Sequence, residues 1–486
     1  MGVLKTLFKQ TFIYGLATVL PRMLSFLLVP LYTTDGVLSS VAEYGEVSVI
    51  FSYFVLFNVV LAYGMETAFF RFFNKEDNKS QVIGTSSISL IVSSLSFCLL
   101  GFVFQNYIAS AISIDVKYIN LVIWILLFDA LAIIPFAWLR ATQRPMRYAT
   151  IKILNVAINL GLNLFFLLGL KDLAEQSTFF ENIYRPNFEI SYIFIANLIA
   201  SAITLLLMLP FYLQTKYVFN KTLWKSMMRY AFPVLVAGIA FSINETFDRI
   251  LLKELLPANI ADTEIGMYSA CYKIALFMTL FATAYRLGIE PFFFSHAKSE
   301  NPQKNYARIL EFFVAFGSII LLTVVVFADV LKPFIVRSEA YWEAMWVVPI
   351  ILLANFCLGI YHNLSVWYKI TDNTKYGAYI SIVGAVVTLV INIIFIKEFS
   401  YKASAVATLM AYGIMMFLSY YYGRKYYPIP YNLKKIGMYL FVSVLFSALS
   451  FYKFREHYMV GISMLIVFLT IIFLSEKKQL KQLLKR

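Results

Sequence analysis

The sequence predicts an all-α polytopic membrane protein of about 14 transmembrane helices, built as two pseudo-symmetric six-helix lobes with two further helices at the C-terminal end. Three observations predict it. The 486 residues are 60% hydrophobic and only 14% charged, with a mean hydropathy of +0.74; soluble domains carry roughly 25% charged residues. Apolar stretches long enough to cross a hydrocarbon core of ~30 Å recur along the whole chain. Lysines and arginines gather in the short loops between alternate stretches, as membrane topology demands.

The first lobe holds candidate spans at 10–33, 44–70, 81–104, 117–139, 148–170 and 189–212. The second holds 229–252, 264–293, 308–331, 343–368, 376–396 and 402–423. Two more follow at 436–453 and 457–475, before a basic tail. The expected domains are therefore 1–215, 216–430 and 431–486. No connecting loop is long enough for a soluble domain.

Charge sets the orientation. With the N-terminus in the cytoplasm, the inward segments carry 27 lysines and arginines and the outward loops ten. Arg140, Arg144, Arg147 and Lys152 fall in one inward loop, and Lys216, Lys221, Lys225 and Arg229 in the next. Most loop acids, such as Asp35, Glu175 and Glu181, fall outside. Both termini are thus expected in the cytoplasm, with an even number of spans. The net charge of +14 is explained by this asymmetry and does not point to nucleic acid.

An internal repeat supports two lobes. Pro21 follows Lys9 by twelve residues, as Pro233 follows Lys221. Glu43-Tyr-Gly45 opens the second span and Glu264-Ile-Gly266 the eighth, an offset of 221. Glu66-Thr-Ala-Phe-Phe70 and Glu290-Pro-Phe-Phe-Phe294 close the same two spans, at an offset of 224. An even number of spans separates the copies, so the repeat is parallel, an architecture transporters use.

The seventh span, between Arg229 and Lys253, opens the second lobe. It carries Glu245, Asp248 and Arg249. A charge at the centre of a transmembrane helix costs at least ~2.5–3.5 kcal/mol, so such residues face a bundle interior or a watery cavity. The other cations inside spans are Arg22, Lys273 and Arg286; the other acids are Glu66, Asp129 and Glu290. Glu245 and Arg249 are spaced i,i+4, as are Arg286 and Glu290, which favours pairing along one helix face. Cys98, Cys271 and Cys357 lie apart in apolar spans, and the three histidines have no ligand spacing. No metal or cofactor is expected.

Several stretches together resemble one family. They are Tyr14-Gly-Leu-Ala-Thr-Val-Leu-Pro-Arg22 and the run to Tyr32; Glu43-Tyr-Gly45 with Gly64-Met-Glu-Thr-Ala-Phe-Phe-Arg71; Asp248-Arg249 with Gly266-x-Tyr-Ser-x-x-Tyr-Lys-Ile274; and Thr371-x-Asn-Thr-Lys375 with Asn392 and Lys402-Ala-Ser-Ala-Val-Ala-Thr408. In this order they resemble the bacterial polysaccharide-export flippases of the multidrug/oligosaccharidyl-lipid/polysaccharide exporter superfamily. That family usually carries a glycine at or near Lys402. The resemblance implies a fold of two six-helix lobes around a central cavity plus two C-terminal helices, an inner-membrane location and an isoprenoid-pyrophosphate-linked oligosaccharide as substrate. It implies a role in cell-surface polysaccharide such as O-antigen or capsule, alongside polysaccharide assembly proteins.

A pyrophosphate head group needs fixed cations, and arginine's planar fork matches phosphate oxygens. Arg22, Arg249, Lys273 and Arg286 are the expected substrate-binding residues. Arg22 lies near mid-membrane, roughly 18 Å of helix from Gln10 at ~1.5 Å per residue, and no acid lies within four residues of it. Its structural alternative is a pair with Asp129. Glu66, Asp129, Glu245, Asp248 and Glu290 balance these charges; Glu66 and Asp129 could also bind a coupling proton or sodium ion.

Two rival functions remain. A drug or cation antiporter shares the superfamily fold, but cationic substrates want acids, and four intramembrane cations oppose that. A glycan polymerase or glycosyltransferase usually needs a large outward loop with catalytic acids. The longest here, about 171–188, is short.

Overall fold

The computed structural model describes Met23 and residues 26–295, 301–371 and 373–483. The regular elements among them are helical, apart from an isolated bridge between Asp35 and Leu38. Thirteen helical runs among the described residues are long and apolar enough to cross a membrane. The first expected span, 10–33, lies mostly outside the described residues and brings the expected number to fourteen.

The chain forms two compact units, Met1–Gly266 and Met267–Arg486. The first holds α1 (Val41–Ala62), α2 (Met65–Lys75), α3 (Lys79–Val103), α4 (Val116–Ala141), α5 (Pro145–Leu164), α6 (Glu189–Gln214), α7 (Lys221–Leu255) and the start of α8 (Ala258–Tyr272). Side-chain caps written in the sequence start several of them. Ser40 accepts the Glu43 N–H while Glu43 accepts the Ser39 N–H, a variant of the capping box at α1. Asn78, Asp115 and Asn220 accept the N–H groups of Gln81, Lys117 and Leu223 at α3, α4 and α7.

The second expected span is one run broken by a joint. Tyr63 and Gly64 both take left-handed backbone, with φ of 31° and 73°. A β-carbon on Gly64 would also lie 2.5 Å from the Ala231 carbonyl oxygen of α7. Only glycine meets both demands without strain.

These contact units meet at 266/267, while the sequence expectation places its lobes at 1–215 and 216–430. Helix α7 packs along α1 and α2 and so clusters with the first unit. Lys253 near its end holds Asp262 of α8 at 2.7 Å. The helices of the expected segment 431–486 fall in the second unit. In the second unit α9 (Leu276–Ser295) packs on α12 (Val348–Leu364), and α12 and α13 (Lys375–Phe399) pack on α14 (Tyr401–Tyr426). Helices α15 (Leu433–Ala448) and α16 (Tyr458–Leu483) pack on α10 (Pro302–Val326), which precedes the short α11 (Ala328–Ile335). A buried cluster ties them: Lys435 bridges Glu311 at 3.2 Å and Glu476 at 2.6 Å, and the Tyr439 hydroxyl donates to Glu476.

Lipid tails are as apolar as leucine, so polar contacts between helices help specify packing inside a bundle. Three asparagines one turn apart on α5 do this in the first unit. Asn155 donates to Thr204 at 3.0 Å, Asn159 to Asn197 at 2.8 Å and Asn163 to Asn159 at 2.9 Å, while Tyr32 donates to Asn163. In the second unit Ser404 donates to Asn392 at 2.7 Å, joining two residues of one sequence motif across α13 and α14.

Candidate functional site

The expected site residues fall into separate settings. Arg22 lies outside the described residues. In the first unit Arg249 and Asp248 are both buried on α7. Asp248 Oδ1 accepts the Arg249 backbone N–H and its Nη1, each at 2.9 Å. The i,i+4 spacing pointed to Glu245 within a cluster that also holds Asp248, and Arg249 forms an ion pair with this chain neighbour. The short aspartate side chain stays beside its own backbone, and the long arginine stem folds back to meet it. Glu245 is half-buried one turn away. A buried pair of this kind costs most when one partner is removed and the other stays charged.

Glu66, at the start of α2, is ion-paired with Arg140 in the last turn of α4. Their side chains keep 44% and 34% of their exposure, so the pair is partly solvated. The Arg140 guanidinium also lies over the Phe70 ring at 4.7 Å. Asp129, half-buried on α4, accepts the Ser201 hydroxyl of α6 at 2.7 Å. Lys152 sits over the Phe136 ring at 4.2 Å. Sequence reading placed Arg140 and Lys152 in a loop; both belong to helices, because α4 and α5 extend to within four residues of each other. Arg71 on Tyr230 and Arg144 on Trp138 repeat the arrangement, so this end of the unit seats its cations on aromatic rings. Nothing in the local sequence announced these pairs, because their partners come from other helices.

In the second unit Lys273 opens a single 3₁₀ turn between α8 and α9, and Arg286 lies half-buried within α9. Glu290 continues α9, with its side chain outside the described residues. Asp329 is an acid the sequence reading did not single out. Arg455 grips it with two hydrogen bonds, Nε to Oδ2 at 3.0 Å and Nη2 to Oδ1 at 2.9 Å, and Lys332 adds a third at 2.8 Å. Burial works to raise its carboxyl, and these bonds overcome that and hold it below the ordinary carboxylate range. Among the described residues no three metal-ligating side chains come together, and the three cysteines are buried thiols.

The comparisons agree with this architecture. The sequence profile of the polysaccharide biosynthesis protein family matches residues 7–286. No curated protein sequence matches the chain. Among solved structures, the chain is similar to the lipid II flippase MurJ in an inward closed conformation, with a TM-score of 0.72 and 14% identity over 96% of this chain and 99% of that one. It is similar to an inward-facing multidrug resistance MATE family transporter of the MOP superfamily, with a TM-score of 0.64 and 12% identity over 85% and 94% of the two chains. A MOP superfamily transporter from Pyrococcus furiosus, described as having a binding pocket of reversed polarity, gives 0.56 and 12% over 86% and 95%. At such identities the likeness establishes the fold. The profile covers more than half of the sequence, and with it the chain belongs to the polysaccharide biosynthesis protein family.

Proposed function

We propose that this protein is a flippase that carries an isoprenoid-pyrophosphate-linked oligosaccharide across the bacterial cytoplasmic membrane by alternating access. The observation that carries the reading is the family match itself, borne by a chain of membrane-spanning helices with charges inside them. The fold, similar to that of a lipid II flippase, supports it.

In this reading Arg249 exchanges Asp248 for pyrophosphate oxygens as the head group enters, so a buried charge is never left bare. Arg22, Lys273 and Arg286 are the further cations for the head group. Glu245, Asp248 and Glu290 balance them. Glu66 balances Arg140, and Asp129 is the acid left to couple transport to a proton or sodium ion. The lipid tail stays in the bilayer throughout.

The test is transbilayer movement of a fluorescent isoprenoid-pyrophosphate oligosaccharide in vesicles containing the purified protein. Native protein should move it and Arg249→Gln should not, with Arg249→Lys between them because lysine keeps charge without the fork. The second reading is a drug or cation antiporter, which the likeness to a MATE transporter favours. Cation-driven efflux of a cationic dye, with no movement of the lipid-linked glycan, would establish that reading and sink the first.

A further inference from the structure

We propose that one end of the α13–α14 pair is a binding site for an anionic membrane phospholipid, separate from the transported substrate. Lys375 opens α13, and Arg424 and Lys425 lie in the last turn of α14, so the antiparallel helices bring three exposed cations to one end. Among the described residues none of the three forms an ion pair. The nearest acid in sequence, Asp372, lies outside the described residues.

The floor between these cations is aromatic. The Tyr376 ring lies 5.2 Å from those of Tyr422 and Tyr426, and Tyr426 stacks on buried Trp367 at 5.9 Å and 16°. Lys375 and Lys425 lie over the rings of Tyr376 and Tyr426 at 5.8 and 5.5 Å. Fixed rings place the cations without the usual loss of side-chain freedom. Phenols with an apolar body and a polar tip suit the level of lipid head groups.

The chemistry beside the cations decides the partner. From Tyr379 an exposed apolar stripe runs along α13 through Val383, Val386, Val390 and Ile393. The steps of three and four residues keep it on one helix face. It starts at the basic end and leads into the span. A head-group phosphate on the cations with an acyl chain along the stripe satisfies both features at once. An acidic soluble protein would meet the cations but leave the stripe uncovered. Clusters of lysine and arginine beside a span favour anionic lipids by about 1 kcal/mol per residue near the surface.

The test uses the full chain in detergent micelles doped with equal phosphatidylglycerol and phosphatidylcholine. Lipid retained after gel filtration is counted by mass spectrometry. Native protein should favour phosphatidylglycerol by at least about tenfold. Lys375→Gln, Arg424→Gln and Lys425→Gln together should bring the ratio near parity, and Lys375→Arg with Lys425→Arg should keep it. A control removes Lys216, Lys221 and Lys225, each to Gln, and should leave the preference in place. Absence of a preference in native protein overturns the site. So does an equal loss in the control, which would make net charge the cause. Displacement by free glycerol phosphate overturns it as well, since a soluble phosphate would then suffice. Because all substitutions are at exposed cations, retention of phosphatidylcholine reports that the folded surface persists.

Discussion

Gly45 and Gly266 are reciprocal. A β-carbon on Gly45 would run into the carbonyl oxygen of Asp262, four residues before Gly266, and a β-carbon on Gly266 would run into that of Val41, four residues before Gly45. Helices α1 and α8 therefore cross with a local two-fold relation, backbone against backbone. The two glycines are also the equivalent positions of the sequence repeat, Glu43-Tyr-Gly45 and Glu264-Ile-Gly266. The repeat thus contains the contact that joins its two copies within the first unit.

Alanine at either glycine should destabilise the protein by about 1–3 kcal/mol, the usual range for overpacking a filled interior. The double variant should cost less than the sum, because the first methyl already parts the helices that the second would part. Gly161→Ala, in α5 with nothing within 4 Å of its would-be β-carbon, should have little effect. Thermal unfolding in detergent measures all four. Equal effects at Gly45 and Gly161 would refute the crossing.

The Asp248–Arg249 pair separates stability from transport. Asp248→Asn alone removes one carboxylate from the buried pair, and breaking such a pair costs up to about 3–5 kcal/mol. Adding Arg249→Met removes the buried cation as well and should restore most of the stability. Under the flippase reading this stable double variant still fails to move the lipid-linked glycan. A stable double variant with native transport would reduce the pair to a packing device.

Acid should loosen the second unit at Asp329. Its folded carboxyl ionises below the unfolded value of ~3.9. Its stabilisation is therefore complete above that value and is lost as pH falls through the lower folded one. Unfolding followed between neutral and strongly acid pH should show a loss confined to the region below about pH 4 that Asp329→Asn abolishes. Arg455→Gln should shrink it without removing it, because Lys332 still donates. An unchanged acid profile in Asp329→Asn would refute the assignment.

The spans were legible because a bilayer sets the length an apolar run must have. The seventh helix starts at Lys221, capped by Asn220, eight residues before the expected span at 229, because the polar first turns carry no hydropathy signal. The partners of intramembrane charges were not. Arg140 lies 74 residues from Glu66, and no spacing rule reaches that far. Lys152 was counted with the inward cations although the expected span 148–170 contains it, and it lies within α5. The i,i+4 rule gave Glu245 to Arg249, with Asp248 in the same charge cluster; that the chain neighbour Asp248 pairs with Arg249 at 2.9 Å follows from the long side chain folding back. The asparagines at 155, 159 and 163 carry a visible period, yet their partners on α6 and at Tyr32 show only in the fold.

Orientation is tested by labelling. Single cysteines at Arg144, Lys221 and Glu175, in a chain whose Cys98, Cys271 and Cys357 are replaced, report which side each loop faces. A membrane-impermeant thiol reagent outside intact cells should reach the cysteine at Glu175 and neither of the others. Labelling at Arg144 would invert the topology and with it the cytoplasmic placement of both termini.

Under the flippase reading Arg22 is the first cation to test for pyrophosphate binding, because the sequence places it mid-span without a nearby acid. Two arguments compete for it. If it holds substrate, Arg22→Ala abolishes glycan movement while the protein still inserts at normal abundance, and Arg22→Lys recovers part. If it pairs with Asp129, either single change strands a buried charge and lowers stability. The Arg22→Ala, Asp129→Ala double variant should then regain both stability and transport. Asp129 already accepts a hydrogen bond from Ser201, so the carboxylate left by Arg22→Ala keeps one partner, and that single change should cost less than Asp129→Ala. The deciding measurement is glycan movement by the double variant at matched protein level. Native movement there would end the substrate-binding role of Arg22. Lost movement at normal abundance would support that role and oppose a cation exporter, because removing a cation from a binding cavity does not weaken its grip on a cationic drug.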